Sequence, residues 1–128
     1  MAKIIYQSPG RYVQGKGVIE SIADETQRLG SHALIISDEV VWNITKDQID
    51  QSFSNNSEVN YNYETFKGES SENEINRIVD EAKTKGIDVV IGLGGGKALD
   101  TGKAVANALN ASAVSYTHLR AHETDSYL

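Results

Sequence analysis

The chain has 128 residues, enough for one domain with a real core and hardly for two. A net charge of −6 argues against a non-specific nucleic-acid binder, and the absence of Cys excludes a disulfide framework or a thiolate metal site. With no signal-peptide core and no apolar run of membrane-spanning length, the composition implies a cytoplasmic protein whose partners include neither nucleic acid nor membrane.

In chain order, residues 4–7 and 11–14 predict two short strands joined by the Ser8-Pro9-Gly10 turn, a hairpin-like pair. Residues 18–29 predict a helix with Ile19, Ile22, Ala23 and Thr26 on its apolar stripe, closed by Gly30 as a C′ glycine. Residues 33–37 predict a strand that ends in Asp38-Glu39. Residues 40–43 read as a short helical turn and 47–53 as a separate helix. Residues 59–63 alternate with period two and have one apolar face, which predicts a strand near the sheet edge. Ser71-Glu72-Asn73-Glu74 fits a capping box ahead of a helix striped by Ile75, Ile78, Val79 and Ala82 and ended by Gly86.

Val89, Val90 and Ile91 then form a continuous apolar run, as in a strand covered on both faces. Gly92, Gly94, Gly95 and Gly96 follow, and a helical pattern resumes at Lys97. The alternation of strands and helices implies a parallel α/β sheet flanked by helices. Ligands on such sheets bind beyond the carboxyl ends of the strands, where the glycine turn and Asp38 both fall. Consecutive glycines let a backbone approach a ligand closely, and a helix N-terminus behind them favours an anion, most often phosphate or pyrophosphate. The turn is not a Walker loop: it is one residue too short, and Ala98 stands where Ser or Thr must hold magnesium. Nor is it G-x-G-x-x-G, because Lys97 occupies the third glycine position.

In the helix that follows, Ala98, Gly102, Val105, Ala106 and Leu109 share one face, small enough at three positions to pack close to the sheet. Lys97, Asp100, Thr101 and Ala104 fall on the opposite side, with Asp100 in the first turn, where a carboxylate suits either the helix dipole or a ligand. Asp38 could accept hydrogen bonds from a ribose diol or simply cap a helix, and the sequence leaves both open.

The run Gly94-Gly95-Gly96-Lys97-Ala98-Leu99-Asp100-Thr101-Gly102-Lys103 resembles the Gly-Gly-Gly-[Lys/Ser]-x-x-Asp-x-x-Lys pattern of the iron-containing alcohol dehydrogenase superfamily. Residues 8–16, 38–42 and 66–69 are similar to blocks of the glycerol dehydrogenases within it, and the resemblance is continuous over residues 4–113. It implies a Rossmann-like NAD-binding domain in which Gly94, Gly95, Gly96 and Lys97 hold the pyrophosphate, Asp38 contacts the adenosine ribose and Asp100 lies in the same cleft. It further implies conversion of glycerol and NAD to dihydroxyacetone and NADH, with homo-oligomeric members. Their divalent metal, usually zinc, is held by an Asp and two His from a helical C-terminal domain. That domain is not in this sequence, so no catalytic or metal residue is assigned, and the chain alone is expected not to turn over glycerol. The alternatives are a stand-alone nucleotide-binding module, or a relative acting on another polyol or on a phosphate substrate.

The resemblance implies residues 1–114 as the NAD-binding domain and residues 115–128 as a tail foreign to it, similar to strings left by adapter read-through. His118 and His122 stand four apart, a spacing used by paired metal ligands, but with no third ligand placed and no His-Glu-x-x-His order they are not read as a native metal site. His32 reads as a surface residue.

Overall fold

The apolar runs following His32 and Asp88 lie side by side in the interior of a parallel sheet. A computed structural model describes residues 11–13, 18–67 and 71–117 of the chain. Its strands are β1 (Arg11–Val13), β2 (His32–Ser37), β3 (Asn60–Thr65), β4 (Val89–Gly94) and β5 (Ser112–Thr117). They form one sheet in the order β1-β5-β4-β2-β3, and every pairing is parallel. The helices are α1 (Ile22–Leu29), α2 (Glu39–Ser54), α3 (Glu72–Lys83) and α4 (Gly96–Leu109).

Alternation along the strands divides the core into two layers. Ala33, Ile35, Val89, Ile91, Leu93, Val114 and Tyr116 pack with Ile22 and Ala23 of α1 and Val41, Ile49 and Phe53 of α2. Leu34, Ile36, Val90 and Ala113 pack with α3 and α4 through Ile78, Val79, Ala82, Ala98, Val105 and Ala106. All six residues of β4 are buried, so both faces of this strand contribute. Each fully buried Ile, Leu or Val is worth about 1.5–3 kcal/mol of transfer free energy, so the strand leading into the glycine turn is firmly held.

The sequence expectations meet the structure unevenly. The parallel α/β sheet and the edge position of the 59–63 strand are as expected. Residues 4–7 and the 8–10 turn lie outside the described residues. Arg11–Val13, expected as one strand of the hairpin-like pair, is a parallel partner of β5, with Arg11 opposite Val114, and its expected partner lies outside the described residues. The helix expected from residue 18 opens as a 3-10 turn, Val18–Ser21, before α1. The two helical pieces expected over 40–53 are one helix, because Val41, Thr45, Ile49, Ser52 and Phe53 form one continuous buried stripe. Thr45, a weak helix former, is fully buried and returns its hydroxyl to the carbonyl of Val41 at 2.8 Å. Ser71 caps α3 through the N–H of Glu74 at 3.1 Å, whereas the Glu74 carboxylate turns to Arg77. The boundary expected between residues 114 and 115 falls inside β5, where Ser115 and Tyr116 are buried. The Tyr116 hydroxyl lies 3.0 Å from the Ser21 hydroxyl, and burial pushes its phenol up to about 12. His118 and His122 lie outside the described residues.

Gly30 is not the left-handed cap expected. Its φ of −178° is extended backbone, and the need for glycine is spatial: a Cβ would fall 2.4 Å from a carboxylate oxygen of Asp88. That carboxylate accepts the N–H groups of Ser31 at 3.1 Å and His32 at 3.0 Å, clasping the start of β2 to the segment before β4.

At the outer edge, Arg77 ties α3 to β3 through Glu64 at 2.6 Å and pairs within α3 with Glu74 at 2.8 Å. The Arg77 hydrogen bond holds the Glu74 carboxyl below its ordinary range, against an opposing effect of burial. A carboxyl lowered in the folded state stabilises above its unfolded value, and that stability is lost as pH falls through the folded value. Arg77→Met is therefore expected to cost about 1 kcal/mol near neutrality. The gap from wild type should narrow as pH falls below the ordinary carboxylate range, read as urea midpoints at each pH.

Helix α4 lies directly on the backbone of β4. A Cβ on Gly92 would meet the Ala98 carbonyl oxygen at 2.9 Å and the Leu99 Cα at 3.1 Å, and one on Gly102 would meet the Gly92 Cα at 3.0 Å. These obstacles are main chain and cannot rotate away. Gly92→Ala is expected to push α4 outward and cost about 1–3 kcal/mol, seen as a lower urea midpoint.

Candidate functional site

The sheet order places a topological switch between β2 and β4. From β2 the chain passes through α2 to β3 on one side, then through α3 to β4 on the other. Helices α2 and α4 therefore leave from the carboxyl ends of adjacent strands and pass to opposite faces, which opens a crevice between their N-termini. Asp38 stands on one side of it and the glycine turn on the other. Gly94 connects them: a Cβ there would sit 3.7 Å from both Ala98 of α4 and Val41 of α2.

The three consecutive glycines differ in what the fold asks of them. Gly94 has φ +134°, a conformation that L side chains rarely adopt, so the turn itself needs glycine. Gly95 is the N-cap of α4, with φ −93° and ψ −171°, and Gly96 is its first helical residue. Neither conformation excludes a side chain, and a Cβ on either would meet nothing within 4 Å. The fold thus leaves open space around two glycines whose backbone does not require them. Two other helices are capped by side chains, α2 by Asp38, which accepts the Val41 N–H at 2.8 Å, and α3 by Ser71, whereas α1 continues from the 3-10 turn without one. No side chain caps α4. Its first N–H groups face the crevice end of the sheet with the positive end of the helix dipole behind them.

Asp38 satisfies one of its two possible roles within the chain, as the N-cap of α2. The cap uses Oδ1, and Oδ2 makes no hydrogen bond among the described residues. Lys97 and Asp100 are exposed on the first turns of α4 and form no ion pair among the described residues. Because α4 begins at Gly96, Asp100 is its fifth residue and lies past the first turn, contrary to expectation. Thr101, expected on the polar side, is fully buried and donates its hydroxyl to the Lys97 carbonyl at 2.9 Å. Of the residues expected to face inward, Ala98, Gly102, Val105 and Ala106 are buried and Leu109 is partly buried.

The profile of the family described as iron-containing alcohol dehydrogenase matches residues 9–126. The chain belongs to that family. It is 40% identical over 111 residues to a glycolaldehyde reductase of Halobacterium salinarum, a match covering 87% of this chain and 30% of that protein. It is 42% identical over 102 residues to a glycerol dehydrogenase of Thermotoga maritima, covering 79% of this chain and 27% of that one. The crystal structure of glycerol dehydrogenase from Schizosaccharomyces pombe superposes with a TM-score of 0.75 at 29% identity, over 88% of this chain and 28% of that one. The chain therefore spans under a third of the length of the curated relatives it matches.

As an iron-containing alcohol dehydrogenase domain, the chain belongs to an oxidoreductase family. Among its described residues, no three His, Cys, Asp or Glu side chains converge to hold a metal ion. No helix among these residues is long and apolar enough to cross a membrane. The clefts of about 380 Å³ beside Gln48, Gln51 and Ser52, and about 250 Å³ beside Phe53 and Tyr61, involve the C-terminal half of α2, away from the glycine turn. Sequence reasoning missed the surroundings of Asp38: Ser37, Trp42 and Tyr63. The one available signal was the aromatic alternation of Tyr61 and Tyr63 beside a strand that ends in Ser37-Asp38.

Proposed function

We propose that this chain is the NAD-binding part of a dehydrogenase acting on glycerol or a similarly small polyol. The carrying observation is the pair Gly95 and Gly96, glycines with open space where side chains would be, at the uncapped N-terminus of α4 beside the switch point. In this reading the backbone N–H groups of the Gly94-Gly95-Gly96 turn, with the Lys97 ammonium, hold the pyrophosphate. Asp38 accepts the adenosine ribose hydroxyls through the carboxylate oxygen its cap leaves over, and Asp100 lines the same crevice. Bound NAD would supply the hydride acceptor, and the chain's own residues bind and orient it. Family membership supports the oxidoreductase class, and the glycerol dehydrogenases among the relatives support a polyol substrate. The similarity to a glycolaldehyde reductase favours, as a second reading, reduction of a small hydroxyaldehyde on the same cofactor site.

Trp42, the single tryptophan, lies in the first turn of α2 and serves as a reporter. Titration with NADH is expected to quench its fluorescence and sensitise nicotinamide emission, with competition by NAD and ADP-ribose. Saturating NADH that leaves the Trp42 signal and a calorimetric titration both flat would sink the cofactor reading. Assay against glycerol and glycolaldehyde of a protein that joins this chain to the remaining domain of a relative separates the two substrate readings.

A further inference from the structure

The carboxyl end of β2 is held by a closed circuit of contacts. Tyr63 on β3 donates its hydroxyl to the Ser37 carbonyl at 3.1 Å, and that carbonyl also accepts the Phe66 N–H at 2.8 Å. The next carbonyl, of Asp38, accepts the Trp42 N–H at 3.0 Å and the Ser37 hydroxyl at 3.1 Å. The Trp42 ring then stacks on Tyr63, centroids 3.9 Å apart and planes 12° from parallel. The path runs from Asp38 through the first turn of α2 to Trp42, across the stack to Tyr63, and back through the Ser37 carbonyl to Asp38.

The sheet does not require the Tyr63 hydroxyl. The Ser37 carbonyl is already satisfied by the Phe66 N–H, and the phenol takes its second lone pair. A tyrosine on an outermost strand ordinarily gives its hydroxyl to water, whereas this one is half-buried and bonded to the residue immediately before Asp38. The Trp42 stack restrains the ring that makes this bond. Two flanking elements, β3 and the first turn of α2, thereby fix the main chain that carries the Asp38 carboxylate.

We infer that Tyr63, clamped by Trp42, is a positioning residue for Asp38: it sets the place of the carboxylate oxygen left over from the α2 cap, and so the grip on the ribose hydroxyls. The inference rests on the cofactor reading above and adds to it a specific dependence on β3. Its signature is a loss confined to ligands that carry the ribose hydroxyls.

The test is a calorimetric titration of the full chain with ADP and with 2′,3′-dideoxy-ADP. Wild type and Tyr63→Phe are compared, each with Asp38 intact and as Asp38→Ser. Tyr63→Phe removes one oxygen and keeps the stack. It is expected to weaken ADP binding about three- to ten-fold. The loss should vanish for the dideoxy nucleotide and in the Asp38→Ser background. Trp42→Phe, with a smaller stacking surface, should shift ADP in the same direction. Equal loss for both nucleotides, or the same loss without Asp38, would mean that Tyr63 acts only on the fold and would overturn the inference. So would ADP binding that Asp38→Ser weakens and Tyr63→Phe leaves unchanged, with the cofactor reading still standing. Wild-type chain that binds neither nucleotide would overturn both.

Discussion

Gly96→Ala is expected to make the chain more stable and a poorer NAD binder at once. Position 96 is the first helical residue of α4, and a Cβ there touches nothing within 4 Å. The substitution removes unfolded-state freedom without a clash, which is worth about 0.5 kcal/mol in favour of the fold. In the cofactor reading proposed above, the same methyl group lies where a pyrophosphate would approach the N–H groups of the turn. NAD affinity should fall about ten-fold or more, equivalent to ~1.4 kcal/mol. Urea unfolding and calorimetric titration of one protein preparation read both signs. Gly94→Ala is the contrasting control: at φ +134° the alanine is strained, so stability itself drops by about 1–3 kcal/mol. A more stable Gly96→Ala that binds NAD as tightly as wild type would show that the open space serves no ligand.

Asp38→Ser separates the two roles of that residue. Serine caps helices about as well as aspartate, so the Val41 N–H keeps a partner and stability should stay within ~0.5 kcal/mol. Serine carries no second carboxylate oxygen and no charge. The lost hydrogen bonds to a ribose diol should raise the dissociation constant for NAD about ten-fold or more. Asp38→Ala removes the cap as well and is expected to cost about 1 kcal/mol of stability in addition to the affinity. If Asp38→Ser binds NAD like wild type, Asp38 is a cap and nothing more, and the ribose contact must be sought elsewhere.

Much of the layout is legible in the sequence because its signals are local. Val89-Val90-Ile91 announces a strand buried on both faces, and Ile75, Ile78, Val79 and Ala82 lay out the stripe of α3. The glycine cluster marks the end of β4, and Ser37-Asp38 marks the end of β2. What the sequence hides is what depends on partners distant in the chain. Thr101 looks polar on a helical wheel, and only the placement of α4 against the sheet makes it interior. Gly30 does close α1, but the reason it must be glycine lies in Asp88, far along the chain, which fills the space a side chain would need. The gap expected between the helical pieces 40–43 and 47–53 is closed in the fold, where Thr45 is buried on the continuous stripe of α2. At the site, the roles of Gly94, Gly95 and Gly96 are indistinguishable as letters. Their dihedrals and the empty volume around two of them separate structural need from room left for a ligand.

The contact of Gly102 with Gly92 has a consequence for timing. With main chain resting on main chain, α4 cannot slide along β4 without lifting off the sheet, so the N–H groups at its start are immobilised by the slowest-opening part of the molecule. Amide hydrogens of β4 and the first half of α4 should therefore exchange with solvent only through global unfolding, whereas those of the edge strand β3 exchange through smaller openings. On the proposed cofactor reading, a nucleotide arriving at the turn would meet donors already in place. Its association should then follow a single phase whose rate rises in proportion to ligand concentration, with no plateau from a preceding rearrangement.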